Sequence, residues 1–220
     1  MASWSSGEPR NLRYAQPLVP PHTKSILCYG DSLTAGYCEG GFAFAPYAPA
    51  LERALGGSVR VDHVGHSGMT ATEMLRYADA PDAGLRAILD AANGRYAAVV
   101  LLAGTNDLAE VQRRPDGAAR VGEAVWALHD LAKPLPTVCV SIPGSMAQER
   151  IPAFRELARG ANEDLRRRCD GAGATFAECP VAFDASSGDW EADGLHMTRQ
   201  GYAAFGAGLA GAVASVPLRS

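Results

Sequence analysis

The sequence predicts an α/β fold in which helices cover both faces of a parallel sheet, and two observations carry that prediction. Short apolar runs occur at 25–29, 59–64, 97–103, 137–142 and 174–177, each of strand length. Segments with helical period separate several of these runs. Strands joined through helices form crossover units, and a parallel sheet built from them is covered on both sides.

The elements follow in order. Residues 1–24 read as a polar leader with Pro17, Pro20 and Pro21, and 25–220 as one domain without internal repeat. Ala118, Val121, Val125, Leu128 and Leu131 recur at steps of three and four, the spacing of one helix face. Ile151, Phe154, Leu157, Ala161 and Leu165 do the same. Tyr202 to Val213 reads as a final helix of small and apolar residues, with Thr198 as its N-cap.

Composition narrows the function classes. A chain of 220 residues buries a full core without staples, and an apolar fraction of 47% is that of a globular protein. Net charge is −4 and the basic residues are scattered, except for Arg166-Arg167-Arg168 in a helical pattern. That run reads as a solvated helix face, so nucleic acid is not an expected partner. The five cysteines are odd in number and contain no CxxC pair, which argues against a disulfide framework and for a reducing compartment. Cys28 and Cys139 fall inside predicted strands as small apolar residues. The N-terminus lacks the apolar core of a signal peptide, and no segment approaches the ~20 apolar residues of a membrane span. A cytoplasmic protein of unknown oligomeric state is expected.

In a doubly wound sheet, ligands bind outside the carboxyl ends of the strands. The first strand ends in Gly30-Asp31-Ser32-Leu33, a sharp turn that exposes a serine. The second ends in His66-Ser67-Gly68-Met69-Thr70 and the third in Gly104-Thr105-Asn106-Asp107. Asp193-Gly194-Leu195-His196 follows the fifth. Acyl transfer needs these residue types. A serine hydroxyl is a weak nucleophile that requires an adjacent base, and an imidazole titrates near the working pH. Asp193, three residues before His196, reaches it within one turn and can hold one tautomer. The Ser32 N–H, the Gly68 N–H and the Asn106 side-chain amide are candidate oxyanion donors. Gly68 admits a close backbone approach that a Cβ would obstruct.

Together, Gly30-Asp31-Ser32-Leu33, Ser67-Gly68-Met69-Thr70, Gly104-Thr105-Asn106-Asp107 and Asp193-Gly194-Leu195-His196 resemble the four signature blocks of the SGNH (GDSL) hydrolase superfamily, in that family's order. The resemblance spans residues 26–202. It implies a flavodoxin-like three-layer α/β/α sandwich whose five parallel strands take the order 2-1-3-4-5. It also implies Ser32 as nucleophile, Asp193 and His196 as its partners, and Gly68 and Asn106 as oxyanion donors. His66 stands where many relatives carry a small or apolar residue.

Other features read differently. Asp31 and Asp107 are expected to brace turns, since such side chains commonly bond loop amides. Gly65-His66-Ser67-Gly68-Met69 nearly matches a nucleophile elbow but lacks the last glycine, which makes Ser67 a poor nucleophile. His63 and His66 form an HxxH pair without a third nearby ligand beyond Asp62, so neither metal nor cofactor is expected. Phe42, Phe44 and Tyr47 are placed to form one wall of an acyl pocket and Trp190 another, although core packing explains Phe42 to Tyr47 equally well. The expected activity is hydrolysis of a small-molecule carboxylic ester through an acyl-enzyme. Transfer of the same acyl group to an alcohol and a non-catalytic binding module are the alternatives.

Overall fold

Side chains alternate between the two faces of a strand, and here both faces are apolar. The computed structural model describes residues 13–14, 24–57 and 59–217. Its strands are β1 (Arg13–Tyr14), β2 (Ser25–Asp31), β3 (Tyr37–Cys38), β4 (Ala43–Phe44), β5 (Arg60–His66), β6 (Tyr96–Leu102), β7 (Thr137–Val140) and β8 (Thr175–Ala177). Its helices are α1 (Ser32–Ala35), α2 (Ala48–Ala54), α3 (Ala71–Arg76), α4 (Leu85–Ala92), α5 (Thr105–Val111), α6 (Gly117–Ala132), α7 (Met146–Arg150), α8 (Pro152–Ala172) and α9 (Arg199–Ala214). Leu27, Tyr29, Val99, Leu101 and Cys139 enter one core with α3, α4, α6 and α8. Ile26, Cys28, Ala98, Val100, Val138 and Val140 enter the other with α2 and α9. That period of two produces the three layers.

The main sheet runs β1-β5-β2-β6-β7-β8. Its five parallel members, numbered among themselves, stand in the order 2-1-3-4-5 that the resemblance implied. The sequence did not suggest a sixth strand. β1 lies antiparallel on the β5 edge, with Arg13 opposite Gly65 and Tyr14 opposite Val64. It falls within the segment read as a leader, whose remaining residues, 1–12 and 15–23, lie outside the described residues. A second, two-stranded sheet pairs β3 with β4 around the 3-10 turn Glu39–Gly41.

The helical periodicities resolve as α6, α8 and α9. In α8 the buried positions are Ala158, Ala161, Leu165 and Cys169, spaced by three and four. Thr198 caps α9, its side chain accepting from the Gly201 N–H at 3.2 Å. The arginine run lies on α8, where Arg166 pairs with Glu178 while Arg167 and Arg168 reach Asp164 at 3.0 and 2.6 Å. All five cysteines are free thiols, and Cys28 and Cys139 are fully buried. Among the described residues no helix is long and apolar enough to cross a membrane.

One close approach positions the functional edge. At Gly65 an added Cβ would lie 2.1 Å from the Ala35 backbone nitrogen, so α1 rests directly on β5. Gly65→Ala is expected to lower the unfolding free energy by roughly 1–3 kcal/mol through overpacking. A urea midpoint equal to that of the wild type would contradict this close fit.

Candidate active site

The carboxyl end of β2 feeds directly into α1, making Ser32 the first residue of that helix. Asp31 is the N-cap, and its Oδ1 accepts from the Leu33 N–H at 3.0 Å. The Ser32 N–H is one of the amides that a helix cannot satisfy internally. Beside it, β5 ends in a turn where Gly68 takes φ +81°. An added Cβ there meets nothing within 4 Å, so the backbone angle, and not crowding by the protein, requires the glycine. Among the described residues the Gly68 N–H makes no hydrogen bond.

β6 ends at the next turn, where α5 begins with Thr105 and Asn106. Asn106 Nδ2 donates to the Met69 carbonyl at 2.9 Å. This bond ties the third strand end to the second and leaves one amide hydrogen unused. Asp107 does the same work from below, its two carboxylate oxygens accepting from the Ala71 N–H at 3.2 and 2.9 Å.

The fourth segment is a closed loop. Trp190 and Met197 form an antiparallel bridge, the Glu191 N–H donates to the His196 carbonyl at 2.8 Å, and the Gly194 N–H donates to the Glu191 carbonyl at 2.9 Å. Asp193 Oδ1 accepts from the Leu195 and His196 N–H groups at 2.9 and 3.0 Å. Its Oδ2 lies 2.7 Å from His196 Nδ1. On the other side, His196 Nε2 is 2.9 Å from Ser32 Oγ, across a sequence separation of 164. A carboxylate only accepts, so Nδ1 carries the ring proton and Nε2 is left to accept from the serine hydroxyl.

The sequence model of the GDSL-like lipase/acylhydrolase family matches residues 28–204, the stretch that carries all four segments. The chain belongs to that family. It is therefore an ester hydrolase of the SGNH type. Among solved structures, Est24, a carbohydrate acetylesterase from Sinorhizobium meliloti, is similar at 16% identity and a TM-score of 0.67, covering 88% of this chain and 99% of its own. A carbohydrate acetylesterase family member from the same organism gives 23% identity and 0.66, with 87% and 97% covered. The lipase/acylhydrolase from Enterococcus faecalis gives 19% and 0.64, with 90% and 100% covered. These likenesses establish a shared fold. No curated protein matches the chain significantly.

Other sequence-predicted residues of this hydrolase sit elsewhere. Trp190 is only 5% exposed, donates from Nε1 to the Ala182 carbonyl at 3.0 Å and lies with its ring 5.0 Å from that of Phe183. Phe42 is 95% exposed at the tip of the β3–β4 hairpin. Tyr47 is fully buried, its ring 4.9 Å from that of Phe205. His63 and His66 are three residues apart on β5 and so point to opposite faces. His66 Nε2 lies 3.1 Å from the Ala83 carbonyl, and burial pushes its pKa down to about 4. Among the described residues no group of three or more ligating side chains could hold a metal ion.

Sequence reasoning missed three features. The Tyr37 ring lies against the His196 ring, with centroids 4.4 Å apart. Arg199 pairs with Glu39 at 2.7 Å, and the Met69 carbonyl receives Asn106. None has a local sequence signature, since each joins distant segments.

Three carboxyls near the site have two fates. For Asp193, partial burial pushes the pKa up, but the hydrogen bonds from His196 and Leu195 outweigh it and hold the group below the usual carboxylate value. Asp31 is fully buried and is pushed up to about 7 by burial, against the Leu33 N–H and with the help of the Asp107 charge. Asp107 is likewise pushed up by burial to about 6. A buried acid with a raised pKa keeps its proton when folded but loses it above pH ~4 when unfolded. Its contribution to stability is therefore complete below that pH and is lost as pH rises towards 7. Asp31→Asn should gain stability over wild type as pH rises from 4 to 8, by up to about 4 kcal/mol. Buried His66 and His129 act with the opposite sign in both proteins and cancel in the difference. A variant-minus-wild-type melting difference independent of pH would contradict a protonated Asp31.

Proposed function

We propose that residues 25–220, with β1 laid on the edge of their sheet, form one catalytic domain that hydrolyses a small-molecule carboxylic ester through a covalent acyl-enzyme. Ser32 is the nucleophile, His196 the general base and Asp193 its orienting partner. The single observation that supports this reading best is the continuous relay of 2.9 and 2.7 Å from Ser32 Oγ through the imidazole to Asp193.

The steps follow from the protonation states. Nε2 takes the hydroxyl proton as Ser32 Oγ attacks the ester carbonyl carbon. The imidazolium that forms is stabilised by the Asp193 carboxylate. The carbonyl oxygen becomes an oxyanion, met by the Ser32 N–H, the Gly68 N–H and the free hydrogen of Asn106 Nδ2. Donors fixed before the reaction need no reorganisation as charge develops. Collapse of the intermediate expels the alcohol, which takes its proton from Nε2. Water then attacks the acyl carbonyl carbon as Nε2 takes its proton, and collapse breaks the bond to Ser32 Oγ, releases the carboxylic acid and returns that proton to the serine.

For the substrate, we infer a short acyl ester on an exposed alcohol. Phe42 stands outward, and Tyr47 and Trp190 are nearly fully buried, so these three aromatic residues offer little surface to a long acyl chain. The two structural neighbours described as carbohydrate acetylesterases agree with a small acyl group.

Ser32→Ala should abolish turnover of p-nitrophenyl acetate. Asn106→Ala should lower kcat on the order of 10²–10³ as a lost oxyanion donor. Folded variants that turn over near the wild-type rate would refute the assignment of each residue.

A further inference from the structure

We propose that Tyr37 is a positioning residue for His196, its aromatic face holding the imidazole between Ser32 and Asp193. The ring centroids are 4.4 Å apart with the planes tilted by 39°. This rests on the Ser32–His196–Asp193 reading above.

The ring is itself held on several sides. The Phe44 ring meets it edge-on, with centroids 5.9 Å apart and planes at 89°. At Gly41 an added Cβ would lie 2.8 Å from the Tyr37 Cε2 and hydroxyl oxygen, so the hairpin backbone packs flush against the ring. The Tyr202 hydroxyl donates to the Tyr37 carbonyl at 2.9 Å, fixing the strand to α9. The hairpin is also tied to the loop that carries His196. The Glu39 N–H donates to Glu191 Oε1 at 3.1 Å, and the next bond along, from the Glu191 N–H, reaches the His196 carbonyl. Arg199, just beyond that loop, pairs with Glu39. Swinging the Tyr37 ring away from the imidazole would break its contacts with Phe44 and the Gly41 backbone, on a hairpin that is itself tied to α9 and to the His196 loop.

The chemical consequence is selective. Before reaction, the ring packs against a neutral imidazole and limits its rotation about χ1 and χ2. Once Nε2 has taken the serine proton, the same face meets an imidazolium, and an aromatic face attracts a cation more than a neutral ring. An interaction that strengthens as the transition state forms raises kcat and leaves ground-state binding alone. The Tyr37 hydroxyl makes no hydrogen bond among the described residues, so the flat ring and not the polar tip supplies the effect.

Aromatic and aliphatic replacements separate this role from simple packing. With p-nitrophenyl acetate, Tyr37→Phe should keep kcat within about twofold of wild type. Tyr37→Leu should lower kcat roughly threefold to tenfold with KM unchanged, the size of one aromatic contact. Tyr37→Met replaces it if the leucine variant does not fold. Independently of activity, the His196 ring protons should show an upfield ring-current shift in wild type and Tyr37→Phe that disappears in the aliphatic variant. Equal kcat for the phenylalanine and aliphatic variants, a loss confined to KM, or a retained ring-current shift would each overturn the proposal. Ser32→Ala, run in parallel, distinguishes the two failures. If it stays active the triad reading itself falls, whereas if it is dead and the aliphatic variant is unimpaired only the role of Tyr37 falls.

Discussion

Ser32 and His196 are separated by 164 positions in the chain yet lie in hydrogen-bond contact at 2.9 Å, and the rest of the structure can be understood as what makes that contact possible. A parallel sheet brings the carboxyl ends of its strands to one edge, so segments far apart in sequence deliver their turns to the same place. Here β2, β5 and β6 lie side by side and supply Ser32, Gly68 and Asn106. The last loop is closed by the Trp190–Met197 bridge and tied to the start of α7 by the Met146 N–H, which donates to the Gly194 carbonyl at 2.8 Å; behind it, the Phe205 ring of α9 packs on that of Tyr47, the residue before α2. Hydrogen bonds between turns then fix what the sheet has only gathered. Asn106 grips Met69, and Asp107 grips Ala71.

Electrostatics divides the acidic side chains around this edge by their environment. Asp193 is 45% exposed and accepts three hydrogen bonds, so it stays charged and can stabilise an imidazolium. Asp31 sits one residue before the serine, fully buried, with one oxygen lacking a partner among the described residues. Burial makes the charged form costly there, and the neighbouring Asp107 adds to the cost. The same side-chain type is thus held below its usual pKa at 193 and pushed above it at 31.

Much of this was legible in the chain. The five parallel strands appear as apolar runs because both faces are buried, and α6, α8 and α9 appear because their buried positions repeat every three or four residues. The four turn segments were readable because their chemistry is local: Gly-Asp-Ser and Asp-Gly-Leu-His each carry their roles within four residues. What escaped depends on contacts between distant parts. β1 is two residues long and defined only by its pairing with β5. The β3–β4 hairpin is as short, and only the fold reveals that Tyr37 meets His196. Aromatic residues were ambiguous for the same reason: in sequence Tyr47 suits a pocket wall or the core equally well, and only the fold places its buried ring against Phe205.

The most direct test of the convergence is a crystal structure after reaction with a serine-directed alkyl phosphonate, whose tetrahedral phosphorus mimics the intermediate. The expected adduct is on Ser32 Oγ, with one phosphonyl oxygen about 2.7–3.1 Å from the Ser32 N–H, the Gly68 N–H and Asn106 Nδ2. An adduct on another residue, or a phosphonyl oxygen turned away from all three donors, would contradict it.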